Sequence, residues 1–113
     1  KGSVEFAEQQ VAAYENLIQG DDFYPIITKE DAQHITTSDQ VGVTIALESA
    51  SGICEEDEKL DLAFERLDKM LESCGHLFYI SFTHHTENRF GGGNYINNVG
   101  LKRDGELLLE WMS

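Results

Sequence analysis

The stretch Val41-Gly-Val-Thr-Ile-Ala-Leu-Glu48 decides how this chain is read. Val41, Val43, Ile45 and Leu47 are large and apolar, and Gly42, Thr44, Ala46 and Glu48 alternate with them. A two-residue period puts the two sets on opposite faces of a strand. The large set suits packing against helices. The small set suits a crowded barrel interior, which aims Glu48 inward at the carboxyl end of the strand. Residues 49–56 follow as a loop of small residues. A helix comes next, with Leu60, Phe64, Leu67 and Leu71 on its stripe, supported by Ala63 and Met70, and Gly75 as its stop. Residues 77–83 form a second strand, rich in aromatic and β-branched types. Two strands with a helix between them predict a parallel βαβ crossover.

Upstream, Val4, Ala7, Val11, Tyr14 and Ile18 fall on one helical stripe, with Ser3 placed to cap its start and Gly20 to end it. Tyr24-Pro25-Ile26-Ile27 reads as extended. Thr28 and Asp31 have the spacing of a capping box for a short helix reaching about Ile35. Downstream, residues 86–100 form a long loop, and Leu107, Leu108, Trp111 and Met112 mark a last helix. The expected fold is α/β, built of parallel βαβ units, with residues 1–113 a single partial domain of a TIM-like (β/α) barrel. The chain has 113 residues, against roughly 250 in a complete barrel of that kind, so it is expected to be a fragment. Two strands alone leave two unpaired edges, so self-association or pairing with the rest of a parent protein is also expected.

Composition narrows the partners. Hydrophobic residues make up 41% of the chain, enough for a packed core. The net charge of -13 would repel nucleic acid and anionic membrane surfaces. No run approaches the 18 or so apolar residues of a membrane span. The two cysteines, Cys54 and Cys74, fit neither a disulfide framework nor a zinc ribbon, and no basic-then-apolar leader opens the chain. A cytoplasmic setting is the expectation.

In parallel α/β folds, functional groups gather at the carboxyl ends of strands. Two polar sets sit there, Glu48-Ser49-Ala50-Ser51-Gly52 and Thr83-His84-His85-Thr86-Glu87-Asn88. A carboxylate and an imidazole on neighbouring strand ends could share a metal, or could form a hydrogen-bonded polar rim. The other candidates are weaker. Gly91-Gly92-Gly93 lacks the Lys-Ser/Thr of a phosphate loop and reads as a lid or a plain loop. His34 and His76 read as surface residues. Cys54 and Cys74 have no evident basic partner. Glu55-Glu56-Asp57-Glu58 reads as charge favouring a helix amino terminus.

The segment from Tyr79 through His84 to Asn88, followed by a loop and then by Gly100-Leu101-Lys-Arg-Asp-Gly105, resembles the renal (membrane) dipeptidase family of zinc peptidases. That family has a strand ending in Leu-Thr-His with a nearby Asn, then Gly-Leu-Thr/Ser-x-x-Gly opening a helix. Residues 41–48 resemble its preceding strand, which ends in a metal-bridging glutamate. The resemblance implies that Glu48 is a zinc ligand bridging two ions. It implies that His84 is catalytic and contacts substrate, with the nearby Asn88 as a further substrate-binding candidate. The reaction implied is metal-assisted hydrolysis of a dipeptide or similar short amide. Strand alternation, with Phe78, Ile80 and Phe82 facing the helices, turns His85 rather than His84 inward; strand ends often bend or bulge, so His84 is favoured and His85 stands as the rival substrate-binding candidate.

Some of the pattern is missing here. The family's His-x-Asp pair and its two later histidine ligands do not occur in this chain. Ser49-Ala50 stands where Gly-Gly commonly follows the glutamate, and Lys102 stands where Thr or Ser is usual. The isolated chain is therefore expected to be inactive. A non-catalytic binding or assembly domain of the same lineage is the alternative.

Overall fold

The computed structural model describes residues 2–84, 86–93 and 100–113. Its elements are α1 (Ser3–Ile18), β1 (Phe23–Pro25), α2 (Lys29–Ile35), β2 (Val41–Val43), β3 (Leu47–Glu48), a 3-10 turn (Ala50–Gly52), α3 (Asp61–Cys74), β4 (Ile80–Ser81) and α4 (Arg103–Met112). Helices and strands mix, and both strand pairs, β1 with β2 and β3 with β4, are parallel. The described strands make two separate two-stranded sheets and do not close into a barrel. Among the described residues no helix is long and apolar enough to cross a membrane.

Residues 41–48 are not one continuous strand, as their alternation predicts, and hydrogen bonding shows why. The Val41 amide donates to the Asp22 carbonyl at 2.9 Å, and the Ile26 amide donates to Val43 at 2.8 Å. Further along, the Phe78 amide donates to Ile45 at 2.7 Å, and the Leu47 amide donates to Tyr79 at 3.0 Å. In a regular strand, residues two apart send their backbone groups to the same neighbour. Here 41 and 43 serve β1, whereas 45 and 47 serve the opposite partner. The backbone therefore turns over around Thr44, and the alternation does not carry through it. Gly42 is small for a local reason: a Cβ there would collide with Ile26 and Ile35. Its face is covered by the α2 region rather than by a barrel interior.

The core is a cluster that includes Ala7, Ile53, Leu67, Met70, Phe90 and Leu108, with Leu47, Leu77, Ile80 and Phe82 packed against it. α1 contributes Val4, Ala7 and Tyr14 from the expected stripe. Ser3 does not cap α1 but is its first residue; Gly2 precedes it at φ 89 without a side-chain cap. The Val4 amide is satisfied instead by Glu55 Oε2 at 3.0 Å, a carboxylate from far along the chain. α2 has the expected capping box, with the Asp31 amide donating to Thr28 Oγ1 at 3.2 Å and the Thr28 amide donating to Asp31 Oδ2 at 2.9 Å. Hydrogen bonds from the Ile27 and Thr28 amides hold the Asp31 carboxyl below its ordinary range. α3 buries Ala63, Leu67, Met70 and Cys74 and stops at Gly75, whose φ of 84 suits glycine.

The second strand is shorter than residues 77–83 predict. Its alternation slips, because Leu77, Ile80 and Phe82 all pack on the core. Phe78, which regular alternation would put on the same face as Ile80 and Phe82, is 68% exposed. The slip brings Leu77 inward in its place. α4 closes the fold by burying Leu108 and stacking Trp111 on Phe64 at a centroid distance of 5.3 Å.

α4 approaches the preceding loop through Gly105. A Cβ at Gly105 would overlap the Phe90 carbonyl oxygen. That oxygen also accepts from the Lys102 amide at 2.9 Å, so it cannot move without losing a helix-entry bond. Gly105→Ala is expected to destabilise the chain by about 2 kcal/mol, read as a lower urea midpoint. An unchanged midpoint would show that the α4 contact does not hold.

Candidate functional site

Parallel pairing of β3 with β4 puts their carboxyl ends on the same side, and the first turn beyond each strand meets the other there. Glu48 ends β3, and His84 lies just beyond β4. Glu48 Oε1 and His84 Nε2 are 3.4 Å apart. Both side chains are open to solvent, at 58% and 43% exposure respectively. The two residues chosen from sequence therefore meet, while His85 lies outside the described residues.

The chain turns sharply after Glu48. Ser49 adopts φ 78, the one positive φ at a non-glycine among the described residues. Such a conformation costs on the order of 1–3 kcal/mol and persists when neighbours fix it. Those neighbours are visible. The Ser49 amide donates to Ser81 Oγ at 2.9 Å, and Ser49 Oγ lies 2.8 Å from Ser51 Oγ. Asn88 Nδ2 donates to Ser49 Oγ at 3.3 Å and to the Phe82 carbonyl at 2.8 Å. Asn88 Oδ1 accepts from the Phe90 amide at 2.8 Å. Asn88 is buried, and its amide is spent on fastening the loop to the strand ends. It reaches the site through Ser49.

An imidazole beside a carboxylate is suited to taking and giving a proton, or to offering two metal ligands. Catalytic zinc takes three protein ligands and structural zinc four. Among the described residues no group of three or more His, Cys, Asp and Glu side chains is placed to hold a metal ion.

Sequence reasoning missed the arginine pairs beside this site. Arg89 Nη1 donates to the carbonyls of Glu55 at 2.5 Å and Glu58 at 2.6 Å, and Arg89 Nε donates to Asp104 Oδ2 at 2.8 Å. Arg89 Nη1 also lies 3.0 Å from Cys54 Sγ, so Cys54 does have a basic neighbour. Burial still pushes its thiol up, the Arg89 charge opposing this only in part. Arg66 holds Glu58 by two parallel hydrogen bonds of 2.6 and 2.8 Å. The acidic run thus does more than charge one helix terminus. Glu55 caps α1, Glu56 accepts from the Arg89 amide, and Glu58 pairs with Arg66. One signal was in the sequence. With 8 Lys and Arg against 21 Asp and Glu, each arginine is a candidate for internal pairing.

The Arg66 hydrogen bonds, then the Glu55 amide, lower the Glu58 pKa from 4.5 to about 2. A folded-state pKa below the unfolded one stabilises the fold above the unfolded value, and that contribution is lost as pH falls through the folded value. The pair should therefore contribute fully above about 4.5 and fade towards about 2. Urea unfolding at a series of acidic pH values should show this fall, and Glu58→Gln should flatten it. An identical pH slope in the variant would remove Glu58 as the cause.

No family model matches this chain, and neither a curated protein nor a solved structure matches it.

Proposed function

We propose that the chain is a βαβ segment of a (β/α)-barrel hydrolase similar to the renal dipeptidases, with Glu48 and His84 at its reacting end. The observation that carries this reading is their meeting at 3.4 Å beyond the carboxyl ends of two adjacent parallel strands. Two backbone features support it. Ser49 holds a positive φ where that family commonly carries glycine. Gly100 has φ 134, and Gly105 faces the Phe90 carbonyl, so both glycines of the Gly-Leu-x-x-x-Gly stretch have a backbone reason to be there.

In this reading the substrate is a short peptide or similar amide. Glu48 supplies one carboxylate to the metal centre of the whole protein. His84 donates a hydrogen bond to the oxyanion that develops on the attacked carbonyl. In that family, bound zinc supplies an activated water. Two zinc ions need more ligands than Glu48 and His84 offer, so no hydrolytic step is assigned to this chain alone.

A second reading is a non-catalytic binding or assembly domain of the same lineage. The inward turn of Asn88, whose amide is taken up by Phe82 and Ser49, favours it.

The purified chain, supplied with zinc, should not turn over a panel of dipeptides. Turnover that Glu48→Gln abolishes would contradict that. The hydrolase reading is tested by exchanging this chain for the corresponding segment of an active renal dipeptidase. Retained hydrolysis that Glu48→Gln removes is the expected result. A folded, zinc-loaded chimera without activity would favour the binding domain.

A further inference from the structure

The hydroxyl groups beyond β3 form a chain with a fixed direction. The Phe82 carbonyl needs a donor and the Phe90 amide needs an acceptor. This sets Asn88 with Nδ2 towards Phe82 and Oδ1 towards Phe90, both at 2.8 Å. Nδ2 is then also the group that donates to Ser49 Oγ, at 3.3 Å. The Ser51 amide donates to the same oxygen at 3.4 Å. A hydroxyl oxygen has two lone pairs, and these two donors take both. In the 2.8 Å contact between Ser49 Oγ and Ser51 Oγ, Ser49 is therefore the donor. Ser51 accepts that bond and keeps its own proton, for which the described residues supply no acceptor.

Ser51 is half-buried and lines the same cleft as Glu48 and Ser49. Its unspent proton is a hydrogen-bond donor at the end of the sheet where Glu48 and His84 meet. The charges around it decide what it can hold. A net charge of -13 disfavours a carboxylate. An ammonium offers only donors. A neutral carbonyl fits. A dipeptide has a single backbone amide carbonyl, and in the hydrolase reading that one faces His84. The other neutral carbonyl such a substrate can carry is that of a side-chain amide.

We propose that Ser51 is a specificity-determining residue, whose hydroxyl donates to the side-chain amide carbonyl of a glutamine or asparagine in a short peptide substrate. The class of ligand rests on the hydrolase reading, and Glu48 and His84 keep the parts given to them there. Asn88 and Ser49 act behind Ser51, because together they set which way its proton points. A site built to donate to a substrate group rejects an analogue that lacks the group, since the donor is then left unpaired.

Two nuclear magnetic resonance measurements on the isotope-labelled full chain test this. The first is hydroxyl exchange with solvent, read from the deuterium isotope shift at each serine Cβ. The Ser49 hydroxyl should exchange slowly and the Ser51 hydroxyl fast, and the reverse order would overturn the proposal. The second is titration with glycyl-glutamine and glutaminyl-glycine, each against its norleucine counterpart, whose side chain has no carbonyl. One of the glutamine peptides should bind about tenfold more tightly than its counterpart, with shifts at Ser49 and Ser51. Ser51→Ala should remove that preference, and Ser51→Thr, which keeps the hydroxyl, should retain it. Equal binding of glutamine and norleucine peptides, a preference that survives Ser51→Ala, or no binding of any of them would each overturn the proposal. These outcomes are separate from those of the dipeptidase chimera, whose inactivity would end the hydrolase reading without moving this preference.

Discussion

The guanidinium of Arg89 holds together parts of the chain that nothing else joins so directly. It accepts no hydrogen bond and gives several, to the carbonyls of Glu55 and Glu58 and to the Asp104 carboxylate, and it lies against the Cys54 sulfur. Its side chain is 14% exposed, so most of its hydration has been replaced by these partners. Taking a charge out of water is costly, and the cost is offset only when the partners are well placed. Here they come from the turn after β3 and from the first turn of α4. Moving either segment would leave a guanidinium or a carbonyl unsatisfied, so the entry to α3 and the entry to α4 are fixed relative to one another. Phe90, next in sequence, is then fully buried, and its carbonyl meets Gly105.

That constraint extends to the candidate site. Asn88 precedes Arg89 and ties the same loop back to Phe82 and Ser49. Ser49 in turn bonds to Ser81 and Ser51, which holds its positive φ and fixes the direction in which the chain leaves Glu48. The acidic excess of the chain is compatible with this because several carboxylates are given specific partners. Glu58 binds Arg66, Asp104 binds Arg89, Glu87 binds Lys102, and Glu55 caps α1.

Local rules were legible in the sequence wherever one element decides its own structure. The Thr28–Asp31 box, the α3 stripe and the Gly75 stop are all of that kind. The order strand, helix, strand also gave the parallel pairing that brings Glu48 to His84. Alternation within residues 41–48 misled, because it assumes one neighbour on each side along the whole strand. The segment instead changes partner around Thr44, a consequence of where residues 23–25 and 78–82 lie rather than of its own pattern. The loop after β4 was the least legible part. Nothing local to Asn88, Arg89 or Phe90 announces a buried arginine whose partners lie in the turn after β3 and in α4.

Everything at the candidate site rests on the parallel β3–α3–β4 unit, which brings Glu48 and His84 to one end. Scalar couplings across hydrogen bonds, measured by nuclear magnetic resonance, test it directly. Parallel pairing gives couplings from the Leu47 amide to the Tyr79 carbonyl and from the Ala50 amide to the Phe82 carbonyl, both rising along the two strands in the same direction. Couplings whose partners run in opposite directions along the two segments would mean antiparallel pairing and would contradict it.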